Sequence, residues 1–518
     1  MSTPAPATRK PPLTGGPLAL LTIAVAFSTF MEVLDITIVN VSVPHIAGSL
    51  GVSPSEGTWA ISSYSLASAI MQPLTGWIAR RFGEVKSFCV AVVLFVLMSM
   101  LCGIATSMPM LVIARLLQGA GSGPMVALSQ ALLLNNYPVE KRGIALAIWA
   151  MTVVVAPIFG PILGGYITDN YSWPWIFYIN VPVGILAAFV TWTLLKDRES
   201  VMQKLPIDVV GLILLIVGVG SLQFMLDNGN DKDWFSSPLI LTLGIVAVVG
   251  LVFFIAWELT DEHPVVDLSL FRKRNFAVGV AALSFGMIGF FGINVIFPLW
   301  LQTTLNYTAT WAGLATAPVG ILAFLISPII GKNIQKFELR TVASISFCIF
   351  GGCAIWFASF PSDASFGSLA WPRFLMGAGI ACFFVPINQI ILSGLRPNEI
   401  ASASGISNFC RTLAASFSTA AMVTMWQHRG DYHHAVMSEH LSATNPAVDH
   451  YLAGLHAFGA SAVRGYSVIE GILTREALTS AVNDVFLVCA VLFFAMIPVI
   501  WLAKPPFGTI AAKGAGGH

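Results

Sequence analysis

Apolar runs alternate with short polar connections along the whole chain, at approximately 18–41, 58–79, 87–107, 110–133, 143–167, 175–195, 208–227, 237–257, 276–301, 311–331, 340–360, 370–394, 400–426 and 481–503. Each is about 20 residues or longer, the length at which a helix rising 1.5 Å per residue crosses a hydrocarbon layer roughly 30 Å thick. The pattern predicts an all-α polytopic membrane protein with fourteen transmembrane helices. Glycine and proline recur inside the runs, which bundled membrane helices tolerate because neighbouring groups satisfy the freed backbone. The remaining chain divides into an N-terminal tail (1–17), a polar stretch between the last two runs (427–480) and a C-terminal tail (504–518).

Composition agrees. Of 518 residues, 56% are hydrophobic and only 10% charged, against about 25% charged in soluble domains. A formal net charge of +1 gives no sign of a nucleic-acid partner. The seven cysteines all fall in apolar runs and none forms a CxxC pair, so they read as small buried hydrophobes rather than a metal site or disulfide framework. The first run is too long for a signal-peptide core and reads as a retained span.

The distribution of Lys and Arg sets an orientation. With both termini in the cytoplasm, 19 of the 26 fall on that side, including Arg80, Arg81, Lys86, Lys141, Arg142, Lys332, Lys336 and Arg396. Lys232, Arg429, Arg464 and Arg475 fall outside, and Arg115, Arg373 and Arg411 fall within spans. The stretch 427–480 then lies on the outer face. It carries six of the nine histidines, too widely spaced for a compact metal set, and one amphipathic helix in which Val448, Tyr451, Leu452 and Leu455 recur at helical spacing.

An internal repeat organises the spans. Arg115-Leu116-Leu117-Gln118-Gly119-Ala120-Gly121 in span four recurs as Arg373-Phe374-Leu375-Met376-Gly377-Ala378-Gly379 in span twelve. Thr58-Trp59-Ala60 with Pro73-Leu74-Thr75-Gly76 in span two recurs as Thr310-Trp311-Ala312 with Pro328-Ile329-Ile330-Gly331 in span ten. Two six-helix halves, 18–195 and 276–503, follow, with two inserted helices and their linkers at 196–275. Repeated halves with a site between them are a transporter architecture.

Charges inside the spans are costly, roughly 2.5–3.5 kcal/mol on insertion scales, and mark ion or substrate pathways. Glu32 and Asp35 stand three apart in span one and share a helix face. Asp35 sits roughly 8 Å beyond the midpoint of its span, at the depth of Arg115 in span four. The two are expected to pair, either as a switch of Asp35's protonation or as a fixed bridge between helices. Glu32 has no partner assignable from sequence. Arg411 lies near the middle of span thirteen and requires one. Arg373 lies near the outer end of span twelve, within reach of the interface by snorkelling. Asn294, Asn388 and Asn408 are further polar positions for a central pocket. In span five, Pro157, Gly160, Pro161, Gly164 and Gly165 combine close helix approach with interrupted backbone bonding, and read as a hinge or a seal between halves.

These motifs resemble the major facilitator superfamily, in its fourteen-span drug:proton antiporter branch. Leu34-Asp35-Ile36-Thr37-Ile38-Val39-Asn40-Val41 resembles the branch's first-span signature, and Arg115 with Gln118-Gly119 and Gly121 the fourth-span motif, whose Arg is implicated in proton transfer. Gly160-Pro161-Ile162-Leu163-Gly164-Gly165 resembles the antiporter motif of span five. The inner-gate loop departs from the family pattern: Gly76, Arg80, Arg81, Gly83 and Glu84 place Arg80 where an acid is expected, with Glu84 a candidate substitute. The resemblance implies drug:proton antiport across a bacterial inner membrane. It also implies a periplasmic adaptor of the EmrA type, contacting the 427–480 stretch, and a TolC-like outer-membrane channel. The proton gradient would supply the energy, with no cofactor. No nucleotide loop or nucleophile motif stands in the connections, so neither an enzyme nor an ATP-driven pump is expected. A proton-coupled transporter of a metabolite is the second reading.

Overall fold

The structure, a computed structural model, describes residues 11–138, 141–203, 206–262, 264–439, 441, 446–457 and 461–507. Among them every regular element is a helix. The first half holds α1 (Gly15–Leu50), α2 (Pro54–Gly57), α3 (Trp59–Met71), α4 (Thr75–Phe82), α5 (Glu84–Gly103), α6 (Met108–Asn136), α7 (Arg142–Asn170), α8 (Trp175–Tyr178) and α9 (Asn180–Leu195). Two further helices follow, α10 (Val209–Asn228) and α11 (Pro238–Thr260). The second half holds α12 (Arg274–Thr303), α13 (Ala309–Thr316), α14 (Pro318–Asn333), α15 (Leu339–Phe357), α16 (Phe366–Leu392), α17 (Ile400–Ser438), α18 (Pro446–Ala457) and α19 (Ala462–Ile500).

All fourteen expected segments are helical, and eleven of the described helical segments are long and apolar enough to cross a membrane. The other three have local reasons. Span two breaks at 72–74, where Pro73 has no N–H to give and the Thr75 hydroxyl donates to Gln72 O instead (2.6 Å). In α7 the apolar stretch is the shorter Arg142–Val153, followed by the glycine- and proline-rich 156–165. Span thirteen, α17, is rich in serine and threonine and carries Arg411.

The halves are built alike. In the first, α1 packs on α7 and α9, α5 on α6 and α9, and α3 on α6. In the second, α12 packs on α17 and α19, α15 on α16 and α19, and α14 on α16. The repeat explains why: a side chain on Gly119 would collide with Tyr64 O, and one on its counterpart Gly377 with Val319 O. Close backbone approach is what both motifs encode. The inserted helices α10 and α11 pack together and straddle the seam. Phe224 stacks edge-on with Trp59 of the first half, while Gln223 donates to the Ser416 hydroxyl of the second (3.0 Å).

The 427–480 stretch differs from expectation. The expected amphipathic helix is present as α18, and Val448 is buried. However, α17 and α19 also run on through most of the stretch, 39 residues each, so a helical hairpin replaces the expected solvated loop. His433 and Arg429 both bond Asp484, and His434 bonds Glu470.

Two outcomes follow from this packing. Gly119→Val should overpack the α3–α6 contact and cost about 1–3 kcal/mol, read as a lower unfolding temperature in detergent. Glu399, just before α17, ties that helix to Lys273 at the start of α12 (2.7 Å). Burial pushes its carboxyl up, but Lys273 and the Arg396 N–H outweigh this and hold it below the usual range. A depressed folded-state value means the stabilisation is present at neutral pH and is lost as pH falls through that value. Glu399→Gln should remove that loss, worth no more than about 1 kcal/mol for a partly exposed pair, in thermal unfolding compared between pH 7 and pH 4.

Candidate functional site

Asp35 and Arg115 do pair, and nothing of either reaches solvent. Arg115 Nη1 bonds Asp35 Oδ2 and donates to Gln118 Oε1 (2.8 Å), while Nε donates to Ala60 O of α3 (2.8 Å). The other carboxylate oxygen, Oδ1, accepts from Asn180 Nδ2 of α9 (2.9 Å) and Gln118 Nε2 (3.2 Å). Asn180 also donates to Ser99 Oγ of α5 (3.1 Å). The guanidinium lies 4.2 Å from the centre of the Tyr64 ring, whose face favours a cation. Five helices thus meet in the network around the Asp35–Arg115 pair. Both carboxylate oxygens accept hydrogen bonds, the arrangement that holds a buried charge. Nη2 of Arg115 is buried and bonds nothing.

Neighbouring Glu32 is different in kind. It is 3% exposed, makes no hydrogen bond, and its Oε2 is buried without a partner. The charges acting on it are those of Arg411 on α17 and of Asp35. Arg411 in turn feels Glu32, leaves Nη1 unpartnered, and sits 5.8 Å from the Trp149 ring of α7. The missing partner of Arg411 is therefore an acid on the opposite half. The two attract without an N···O approach within 4.0 Å. Trp149 is held by its Nε1–H to Ser129 Oγ (3.1 Å), which also accepts from Thr29 (2.8 Å).

The second half carries a copy of the first pair with an amide in place of the acid. Arg373 is fully buried, so the interfacial position open in the sequence is ruled out: α16 sets it among Phe297 and Phe357, 4.4 and 5.5 Å from the ring centres. Its Nη1 donates to Asn294 Oδ1 (3.0 Å) and its Nη2 to Ile293 O (3.3 Å). Asn294, expected in a pocket, is instead the counterpart of Asp35. Asn388 accepts from Gln130 Nε2 of the first half (3.0 Å), and Asn408 donates to Ser404 O of its own helix (2.8 Å). All three asparagines are engaged by protein groups.

In α7, side chains on Gly160 and Gly164 would strike Thr37 and Ile38 of α1, in the turn that follows Asp35. The span-five motif thus seats α1 within its own half, and these glycines do not seal the two halves together. Gly165 has open space beside it, and the side chains of Pro157 and Pro161 lie outside the described residues. In the inner-gate loop, Arg80 Nε donates to Gly76 O within α4 (3.3 Å). Glu84 accepts from Asn135 of the same half (2.8 Å). A second acid meets the start of α5 beside Glu84: Glu199, from the distant linker, accepts from the N–H groups of Val85 (2.9 Å) and Lys86 (2.8 Å). Gly83, at φ +92°, gives its carboxyl room.

A family model described as Major Facilitator Superfamily matches residues 25–419. The chain belongs to that superfamily. It is 48% identical to the multidrug export protein EmrB of Escherichia coli K12, over 98% of this chain and 99% of that protein. It is 49% identical to EmrB of Haemophilus influenzae (96% and 98%) and 46% identical to the fatty acid resistance protein FarB of Neisseria gonorrhoeae (98% and 99%). Among solved structures, the proton:xylose symporter XylE superposes with a TM-score of 0.57 at 16% identity, covering 93% of this chain and 96% of that one, which shows the fold.

Within this facilitator fold, Asn180, Gln118, Ser99 and Tyr64 complete the Asp35 site; Gln118 stands in the fourth-span motif, and Ser99 and Tyr64 in none. Polar residues inside apolar runs were the available signal. A double-mutant cycle measures the enclosure. Arg115→Leu should destabilise by about 3–5 kcal/mol, because it leaves Asp35 buried alone. Arg115→Leu combined with Asp35→Asn should cost clearly less than the two singles summed, read by thermal unfolding in detergent.

Proposed function

We propose that the chain is a proton-driven exporter of hydrophobic and amphipathic toxic compounds across the inner membrane. It would work as the inner-membrane part of a tripartite pump, crossing the bilayer fourteen times with both termini in the cytoplasm. The observation that carries this reading is the fully enclosed Asp35–Arg115 pair beside Glu32, whose side chain makes no hydrogen bond. Asp35 accepts from three donors, so a proton reaching it must displace one of them. Its occupancy then depends on helix positions, which is the property a coupled carrier needs.

The cycle is alternating access. Drug arrives from the cytoplasm or inner leaflet while the carboxylates are charged. A proton from the outside neutralises Glu32 or Asp35, loosens the grip of Arg411 or Arg115, and favours drug release outward. The substitution of Asn294 for the acid in the second half leaves the first half as the proton-handling side. Likeness to EmrB supports drugs as cargo, and likeness to FarB supports amphiphiles among them.

The hairpin of α17 and α19 with α18 is the proposed seat for an EmrA-type adaptor, which would link the pump to a TolC-like channel. Tyr432, Tyr451, Tyr466 and Ile472 are exposed on it, the kind of apolar side chain that anchors an interface.

In proteoliposomes, an imposed pH gradient should drive drug export by the wild type and not by Asp35→Asn. Full proton-coupled export by Asp35→Asn would refute the assignment, and gradient-driven movement of a metabolite without drug transport would favour the second reading. Removing residues 440–460 should abolish capture of the adaptor while leaving export in proteoliposomes intact; undiminished capture would end the docking proposal.

A further inference from the structure

Two residues that occupy the same place in the internal repeat are hydrogen-bonded to each other. Gln130 Nε2 of α6 donates to Asn388 Oδ1 of α16 at 3.0 Å across 258 positions of sequence. That is the offset relating Arg115 to Arg373 and Gly119 to Gly377. Groups related by a two-fold meet only where the axis passes, so this bond marks the pseudo-two-fold axis between the halves. Both amides are buried, at 1% and 5% exposure. Asn388 is steadied by Phe384 O (2.8 Å), whereas Gln130 Oε1 bonds nothing.

The halves are tightly shut around this bond. A side chain on Gly143 of α7 would collide with Gly331 O of α14, and one on Gly405 of α17 would lie 2.6 Å from Gln72 O. By the repeat these join the same pair of spans, five with ten and thirteen with two, once on each flank of the axis. All lie towards the helix ends that carry Arg80, Lys141, Lys332 and Arg396. Glu32 and Arg411, further from that end, attract across the same interface without touching. The structure is therefore closed at its Lys/Arg-rich end.

We propose that the Gln130–Asn388 hydrogen bond is the on-axis latch of the gate at the Lys/Arg-rich end, broken each time that end opens. The proposal requires only that the two ends open in turn, and it stands whether or not protons drive the cycle. A neutral amide pair suits the task. When the gate opens, water replaces each amide's partner, so the exchange is nearly balanced: such a bond shifts an equilibrium by about threefold to tenfold. A buried ion pair would be harder to break and would make gating depend on charge. Gln130 and Asn388 are thus positioning residues, and they act on the gate rather than on substrate.

The test uses spin labels at Lys86 and Lys336, one on each half and both exposed at that end, in the full chain with its seven native cysteines replaced by alanine. Gln130→Leu or Asn388→Leu should raise the long-distance, open population about threefold to tenfold. The swap Gln130→Asn with Asn388→Gln should return it towards the parent value. Unchanged distances in the single variants, or a swap that behaves like them, would overturn the proposal. Should the leucine variants fail to fold, Gln130→Cys with Asn388→Cys, joined by a short reducible bifunctional thiosulfonate, gives a second reading. Transport should stop on cross-linking and resume on reduction. Transport by the cross-linked protein would overturn the latch.

Discussion

A charge inside a membrane protein must be compensated, and much of this structure follows from how one carboxylate is. Asp35 is enclosed by donors from Arg115, Gln118 and Asn180, and those residues are placed by helices that must approach closely to do it. Gly119 lets α6 lie on the backbone of α3, and Gly160 and Gly164 let α7 lie on α1. The glycine motifs and the charge motifs are therefore one device. The first set the distances and the second depend on them. Glu32 shows what happens one turn away without such a cage: a buried acid whose compensation comes from a cation on the other half, at a distance.

The pseudo-symmetry sharpens the point. Both halves fold an arginine from the same motif into a buried aromatic setting and give it an oxygen from the first helix of the half. In the first half that oxygen belongs to Asp35, in the second to Asn294. One atom's difference in chemistry gives the first half an ionisable group there and the second a neutral amide. The interface between them joins the two behaviours. At the Lys/Arg-rich end it is held by a neutral amide bond on the axis, and deeper in by an incomplete pair of charges.

Local patterns made much of this legible beforehand. Runs of apolar residues placed all fourteen helical segments, and two short repeats divided them into halves. The pairing of Asp35 with Arg115 followed from depth along two antiparallel spans, an argument that needs only helical rise. What escaped was long-range and depended on side-chain direction. Asn180 reaches Asp35, and Ser99 steadies Asn180, from helices that no spacing rule ties to it. Arg373 looked interfacial because depth along α16 does not tell which face the side chain takes; the structure turns it inward to Asn294. Glu199 caps α5 from a linker over a hundred residues away. The helical continuation of α17 and α19 past the apolar runs was hidden because histidines and charges there carry no hydropathy signal, although they are compatible with helix.

The proposed cycle requires that protonation of the Asp35 and Glu32 site and drug occupancy exclude one another. Its most direct measurement is proton release from purified protein in weakly buffered detergent when drug is added. Wild type should release protons on drug binding, and Asp35→Asn should bind drug while releasing fewer or none. Drug binding to the wild type with no proton release, or undiminished release by Asp35→Asn, would contradict it.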